Sequence, residues 1–229
     1  MAFTADKVRQ GVQQASTGGY DIDNSLRFND DDSAYLSIPT TWTPNRETFT
    51  FSCWLKRTTI GERQMVLSNY NGSGSGKEFN IGFAGTGYDK LYIVEYNGGV
   101  VWQSVSTAVF RDTSAWYHIV VAIDTTQSTS TDRVKAYVNG EKITSFESAS
   151  YPTLGYDNYI GGATGSAAVL GMWGYATWSV PGYQRKFDGY LAEVNFIDGY
   201  PSEVTQSNWA STNIANGFGE FDATYGHWK

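Results

Sequence analysis

The residues able to do chemistry are few and poorly paired. The chain holds two histidines, His118 and His227, and a single cysteine, Cys53. His118 stands inside the run Tyr117-His118-Ile119-Val120, where a hydrogen-bonded structural imidazole is the expected reading. Cys53 shares a period-two face with Phe49, Phe51 and Leu55, so it reads as a small buried hydrophobe instead of a nucleophile. Alone it can neither close an intrachain disulfide nor hold a structural zinc. The stretch Gly72-Ser73-Gly74-Ser75-Gly76 puts glycine where a hydrolase elbow needs serine. As a phosphate loop the same stretch fails at Asn71 and at Glu78, which stands where a magnesium-binding hydroxyl should be. It reads as a hairpin tip.

Glycoside hydrolysis is the most serious enzymatic candidate, because two carboxylates suffice for it. On one face of one strand they must lie two or four residues apart. Glu193 has Leu191 and Asn195 at the first offset and Gly189 and Ile197 at the second, none of them acidic. Glu193 therefore reads as a structural carboxylate, and a non-enzymatic protein is expected. The oxygen donors of Asn29-Asp30-Asp31-Asp32 could help bind calcium, with Asp30, Asp31 and Asp32 as ligands, although a solvated loop is the ordinary reading and the EF-hand spacing is absent. No other cofactor is expected. Asp124, followed by Thr125-Thr126, reads as a turn former.

Aromatic side chains, 16% of the chain, are the more promising chemistry. The segment from Gly161 to Lys186 carries Trp173, Tyr175, Trp178 and Tyr183 among Gly, Ala, Ser and Thr. Rings on such a segment either fold over the core as a lid or subunit contact, or form a platform on which sugar rings stack. Trp102 joins these four as a stacking candidate.

These residues must be positioned by strands. Thr48 to Leu55 alternates strictly, with Phe49, Phe51, Cys53 and Leu55 on one face. Trp116 to Ile123 is apolar on both faces, which predicts a strand covered on both sides. Asn97-Gly98-Gly99 and Asn139-Gly140 separate pairs of apolar runs and predict two hairpins. Strands at this spacing without a helix rhythm predict an all-β, two-sheet antiparallel sandwich. Residues 20–229 form that sandwich, preceded by an arm over 1–19 in which Phe3, Val8, Arg9 and Val12 are docking candidates. One or two helical turns are expected over 202–213, after Pro201.

The 229 residues suffice for a sizeable core, and charged residues at 17% with hydrophobic ones at 41% exclude a disordered chain. A net charge of −7 without a Lys/Arg cluster argues against nucleic acid as partner. The first residues lack the apolar core of a secretion signal, and no apolar run is long enough to insert in a membrane.

Three stretches together resemble the concanavalin A-like lectin/glucanase superfamily in its laminin G-like form. They are Ser25-Leu26-Arg27-Phe28 with Tyr35-Leu36-Ser37-Ile38 and Phe49 to Lys56; Trp116-Tyr117-His118-Ile119 with Tyr137-Val138-Asn139-Gly140; and Tyr159-Ile160-Gly161-Gly162 with Phe187 to Val194. Phe28 to Leu36, Asn45-Arg46-Glu47-Thr48, Leu191 to Gly199 and the closing Phe218 to Lys229 are similar to versions on virion proteins of tailed, particularly marine, bacteriophages. So is the opening Met1-Ala2-Phe3 arm leading to Gly18-Gly19-Tyr20. The segment 163–186 departs from that pattern. The resemblance implies a jelly-roll sandwich that binds carbohydrate or protein, made in the bacterial cytoplasm and carried on the virion as tail fibre, tail component or capsid decoration. It implies docking to other virion proteins through the arm, host-surface glycans as a ligand, and an oligomer, a trimer in a fibre. A soluble carbohydrate-binding lectin and a glycoside hydrolase stay as alternatives.

Overall fold

The computed structural model describes residues 24–38, 41–70, 76–85, 87–161, 168–173 and 185–199. The arm, with Phe3, Val8, Arg9 and Val12, and the helical turns expected over 202–213 lie outside them. The strands are β1 (Leu26–Phe28), β2 (Leu36–Ile38), β3 (Thr48–Arg57), β4 (Gln64–Tyr70), β5 (Lys77–Ala84), β6 (Lys90–Asn97), β7 (Val100–Val109), β8 (Tyr117–Asp124), β9 (Val134–Val138), β10 (Glu141–Lys142), β11 (Phe146–Ser150), β12 (Ala168–Leu170) and β13 (Gly189–Asp198). They build two antiparallel sheets, ordered β1-β13-β3-β8-β9-β10 and β11-β7-β6-β5-β4-β12-β2. This is the jelly-roll sandwich predicted from the sequence. No helix among the described residues is long and apolar enough to cross a membrane.

The core follows from alternation. Phe49, Phe51, Cys53 and Leu55 of β3 point inward and are at most 1% exposed, facing Phe79, Ile81 and Phe83 of β5 across the gap. Burying each large apolar side chain contributes about 1.5–3 kcal/mol. In β8, Ile119, Val121 and Ile123 fill the core while Val120 and Ala122 are buried on the opposite face, so the strand is covered on both sides as expected. Both predicted hairpins form: β6 pairs with β7 and β9 with β10. At the second turn Asn139 and Gly140 have φ of 52° and 82°, the left-handed pair that a two-residue hairpin turn requires.

Two features escape a simple alternation rule. The segment after Gly161 is not all loop, because Ala168–Leu170 inserts as β12 between β4 and β2. Gly171 then turns at φ +88°, where a Cβ would fall 2.3 Å from the Phe28 ring. In β13 the register shifts between Ala192 and Asn195 with Glu193 at φ 50°, a bulge that reverses the side-chain parity.

Candidate functional site

The site begins with the alternation Glu78-Phe79-Asn80-Ile81-Gly82 in β5. Since Phe79 and Ile81 enter the core, Glu78, Asn80 and Gly82 face outward from the middle of the seven-stranded sheet. Register then fixes their neighbours. Glu78 lies opposite Tyr96 of β6 and Tyr70 of β4, Asn80 opposite Val94 and Ser68, and Gly82 opposite Tyr92 and Met65. Further out, Val94 pairs with Gln103 of β7, and Gln103 with Ser150 of β11. A polar stripe flanked by tyrosines thus runs across this outer face.

Trp173 closes over the stripe. Its Nε1 donates to Glu78 Oε2 at 2.7 Å, and Asn80 Nδ2 donates to the same oxygen at 3.0 Å. The Trp173 ring packs beside Tyr70, centroids 5.3 Å apart, and the Arg185 guanidinium lies 4.4 Å from the Trp173 centroid. Ser68 Oγ donates to the Met172 carbonyl at 2.7 Å, holding the segment that carries Trp173 against β4. Asn80 is fully buried, yet its Oδ1 accepts no hydrogen bond. Buried orphans of this kind are ordinarily met by a bridging water. Burial pushes the Tyr70 phenol upward, and the Glu78 charge adds to it. Gln103, at the far end of the stripe, donates from Nε2 to Ser148 Oγ at 2.7 Å.

The stacking candidates separate cleanly. Trp102 lies on the inner face, 0% exposed and against Phe79, with its Nε1 unpartnered. No ligand reaches its ring, so Trp102 is a core residue and not a stacking platform. The run Val100-Val101-Trp102 has no clear alternation that would tell inside from outside in the sequence. Trp173 belongs to the outer face as described. Tyr175, Trp178 and Tyr183 lie outside the described residues. Glu78, read from the sequence at the end of a hairpin tip, and Asn80, not singled out there, are both signalled by their alternation with Phe79 and Ile81.

The acidic turn is tied into the fold by its own polar contacts. Asp32 accepts from Asn29 Nδ2 at 2.6 Å, and the Lys186 ammonium donates to the Asp30 carbonyl at 2.6 Å, placing a cation where calcium would compete. Among the described residues no three His, Cys, Asp or Glu side chains converge, Asp30, Asp31 and Asp32 included. Asp124 forms its turn as expected, its Oδ1 accepting from the Thr126 amide at 3.0 Å.

The groups considered for catalysis sit in structural roles. His118 is 3% exposed, with Nε2 3.2 Å from Ser52 Oγ and its ring 4.9 Å from that of Trp54; burial lowers its pKa to about 3 and keeps it neutral. Burial pushes the Cys53 thiol far up, which removes the reactive thiolate. The offsets that excluded a partner for Glu193 assumed a regular strand, and the bulge corrects that reading: Val194, not Asn195, joins Leu191 in the core. Asn195 Nδ2 donates to the Glu193 carbonyl at 2.8 Å.

One carboxylate is strongly perturbed. Glu95 of β6 faces inward, 0% exposed, between Phe79 and Trp102 in register. Burial raises its pKa to about 8, opposed by the Tyr159 amide, which lies 3.1 Å from both carboxylate oxygens, by the nearby Tyr156 hydroxyl, and by Arg46. The Tyr156 hydroxyl itself is buried without a hydrogen bond. Glu95 and Glu78 project from opposite faces of one sheet, so these two cannot flank a glycosidic bond together.

The family model described as concanavalin A-like lectin/glucanases superfamily, of laminin G type, matches residues 30–204. No curated protein sequence matches the chain. Among solved structures, domains LG4-5 of the mouse laminin alpha1 chain are similar at 11% identity and a TM-score of 0.53, over 84% of this chain and 48% of that one. NanB, in a structure with Optactamide, is similar at 15% identity and a TM-score of 0.51, over 75% of this chain and 25% of that one. The LG1-3 region of the laminin alpha2 chain follows at 13% identity and 0.50, over 76% of this chain and 31% of that one. The chain thus spans less than half of each, and the likeness is one of fold. With the match running from the acidic turn past β13, the chain belongs to the concanavalin A-like lectin/glucanases superfamily.

Proposed function

We propose that the chain is a non-enzymatic carbohydrate-binding module whose saccharide sits on the outer face of the seven-stranded sheet. The observation that carries this reading is the Glu78–Asn80–Trp173 cluster. A carboxylate is fixed by an indole N–H and an amide, a buried carbonyl beside it lacks a donor, and tyrosine rings flank the pair. Alternating ring faces and oriented acceptors suit sugars, whose C–H faces stack while their hydroxyls donate. Supporting the non-enzymatic part, Glu78 is engaged by two donors and has no acidic partner on its face among the register neighbours described above.

Binding should be lost on replacing Trp173 by alanine, by at least tenfold on a glycan array followed by titration calorimetry, with Glu78→Gln weakening it less. Trp173 and Glu78 are both buried, so thermal melting of each variant accompanies the binding measurement and shows that the variant is folded. Unchanged affinity in the folded Trp173→Ala variant would overturn the reading.

The setting is proposed from the sequence resemblance: a virion protein in tail fibre, tail component or capsid decoration, presenting this face to host glycans, alone or as a homo-oligomer. Its arm over 1–19 docks to other virion proteins. Deleting that arm should abolish incorporation into particles, read by mass spectrometry of purified virions, while leaving the melting temperature of the sandwich nearly unchanged. Normal incorporation of the truncated chain would remove the docking role.

A further inference from the structure

We infer that the saccharide held on this face carries an anionic group, a carboxylate or a sulfate or phosphate ester, and that the Arg63 guanidinium is its seat. The inference rests on the carbohydrate-binding reading and narrows it to acidic sugars.

Arg63 stands out by what its neighbours of the same type do. Arg27 pairs with Asp188, Arg46 with Asp157, and Arg57 and Arg111 share Asp89. Arg133 donates to the Gln127, Pro152 and Ser128 carbonyls. Arg185 lies over Trp173 and has a further partner. Among the described residues Arg63 is the arginine with neither an ion pair nor a hydrogen bond. A chain with 23 acidic and 16 basic residues offers carboxylates in excess, so an unmatched guanidinium in it calls for a reason.

Its position is nevertheless fixed. The guanidinium carbon lies 5.8 Å from the Tyr88 ring centroid and 5.9 Å from that of Tyr92, and the residue is half-buried. Rings of this kind hold a cation through its face and leave the N–H edges directed elsewhere. Those edges form the planar fork that matches a carboxylate or a phosphate-like group. Tyr88 is 44% exposed and adopts φ 59°, a left-handed conformation that is strained for a tyrosine and that clusters at binding sites.

Arg63 also belongs to the face already described. Tyr92 lies opposite Gly82, two residues along β5 from Asn80. Burial raises the Tyr92 phenol, while the charges of Arg63 and Arg185 lower it and those of Glu78 and Tyr96 raise it. Glu78, the acid among them, is 8% exposed and already accepts two hydrogen bonds. Two guanidinium groups, Arg63 and Arg185, thus act on Tyr92 in a protein whose net charge is −7.

The test is affinity for matched polysaccharides differing in charge: polygalacturonate against its carboxyl-reduced form, and dextran sulfate against dextran, at low and moderate salt. The acidic member of at least one pair should bind tenfold or more tighter, with the pair showing which anion is preferred. Arg63→Gln should erase that advantage while leaving residual binding to the neutral member, and Arg63→Lys should keep part of it. Equal binding of charged and neutral members, still lost in Trp173→Ala, would overturn the anion inference and leave the carbohydrate reading standing. A charge preference unmoved by Arg63→Gln would overturn the role of Arg63. Absence of binding to both members of both pairs and to a general glycan array would overturn both readings.

Discussion

Replacing Asp89 by alanine should lower the stability of the fold by about 3–5 kcal/mol, the usual result of leaving a buried charge without its partner. The charge left behind is Arg57, whose side chain is 1% exposed at the end of β3. Arg57 Nη1 lies 3.1 Å from Asp89 Oδ1 and donates to the Phe110 carbonyl at 2.8 Å, while Nε donates to Gln64 at 3.1 Å. Its guanidinium sits 4.3 Å from the Phe83 centroid, deep in apolar surroundings. Burial pulls the pKa of Arg57 down, and Asp89 acts against that. For Asp89 itself burial pushes the carboxyl up, but the Gly61 amide, Arg111 and Arg57 together hold it below the usual carboxylate range. Removing Asp89 thus deprives three donors at once. Chemical denaturation at neutral pH checks the size of the loss. The double variant Asp89→Leu with Arg57→Met should recover most of it, because two apolar groups leave no orphaned charge. A loss below about 1 kcal/mol in the single variant would show the pair to be solvated and this account of it wrong.

The second large effect is a dependence on pH that runs opposite to most carboxylates. Glu95 has its pKa raised from 4.5 to about 8, so between those values the folded state holds a proton that the unfolded chain has released. Stability from this group is complete below about pH 4.5 and is lost as pH rises through about 8. The expected loss from Glu95 alone is about 4–5 kcal/mol, since each pH unit between the two values weakens the fold by about 1.4 kcal/mol. Glu95→Gln should flatten that part of the profile while keeping the shape of the side chain. Denaturation at pH 5, 6.5, 8 and 9 reads the difference between the two proteins. A difference that does not change with pH would mean that Glu95 is already ionised at pH 5.

Much of this architecture was legible from side-chain period. Phe49, Phe51, Cys53 and Leu55 announced the core face of β3, and the continuous apolar run of β8 announced a strand buried on both sides. Asn139-Gly140 announced its turn because few other residues accept two successive left-handed conformations. What escaped was set by tertiary context. Three residues, Ala168 to Leu170, are too few to show a period, so β12 was invisible inside an aromatic segment. The bulge at Glu193 reversed parity without a glycine or proline to mark it. Trp102 looked like a binding ring because composition does not say which side of a sheet a residue occupies, whereas Trp173 lies on the outer face through its bond to Glu78. The polar stripe of β5 was present as Glu78 and Asn80 between phenylalanine and isoleucine, but only the pairing of β5 with β4 and β6 surrounds it with tyrosines.

The central claim is that the outer face of the seven-stranded sheet holds a saccharide, and hydrogen–deuterium exchange tests it most directly. The chain would be compared free and saturated with a saccharide selected on the array. Protection confined to β4, β5, β6 and the segment around Trp173 is the predicted result, with β3, β8 and β13 of the other sheet unchanged. Protection on the six-stranded sheet alone, with Glu78, Asn80 and Tyr92 peptides unaffected, would contradict it.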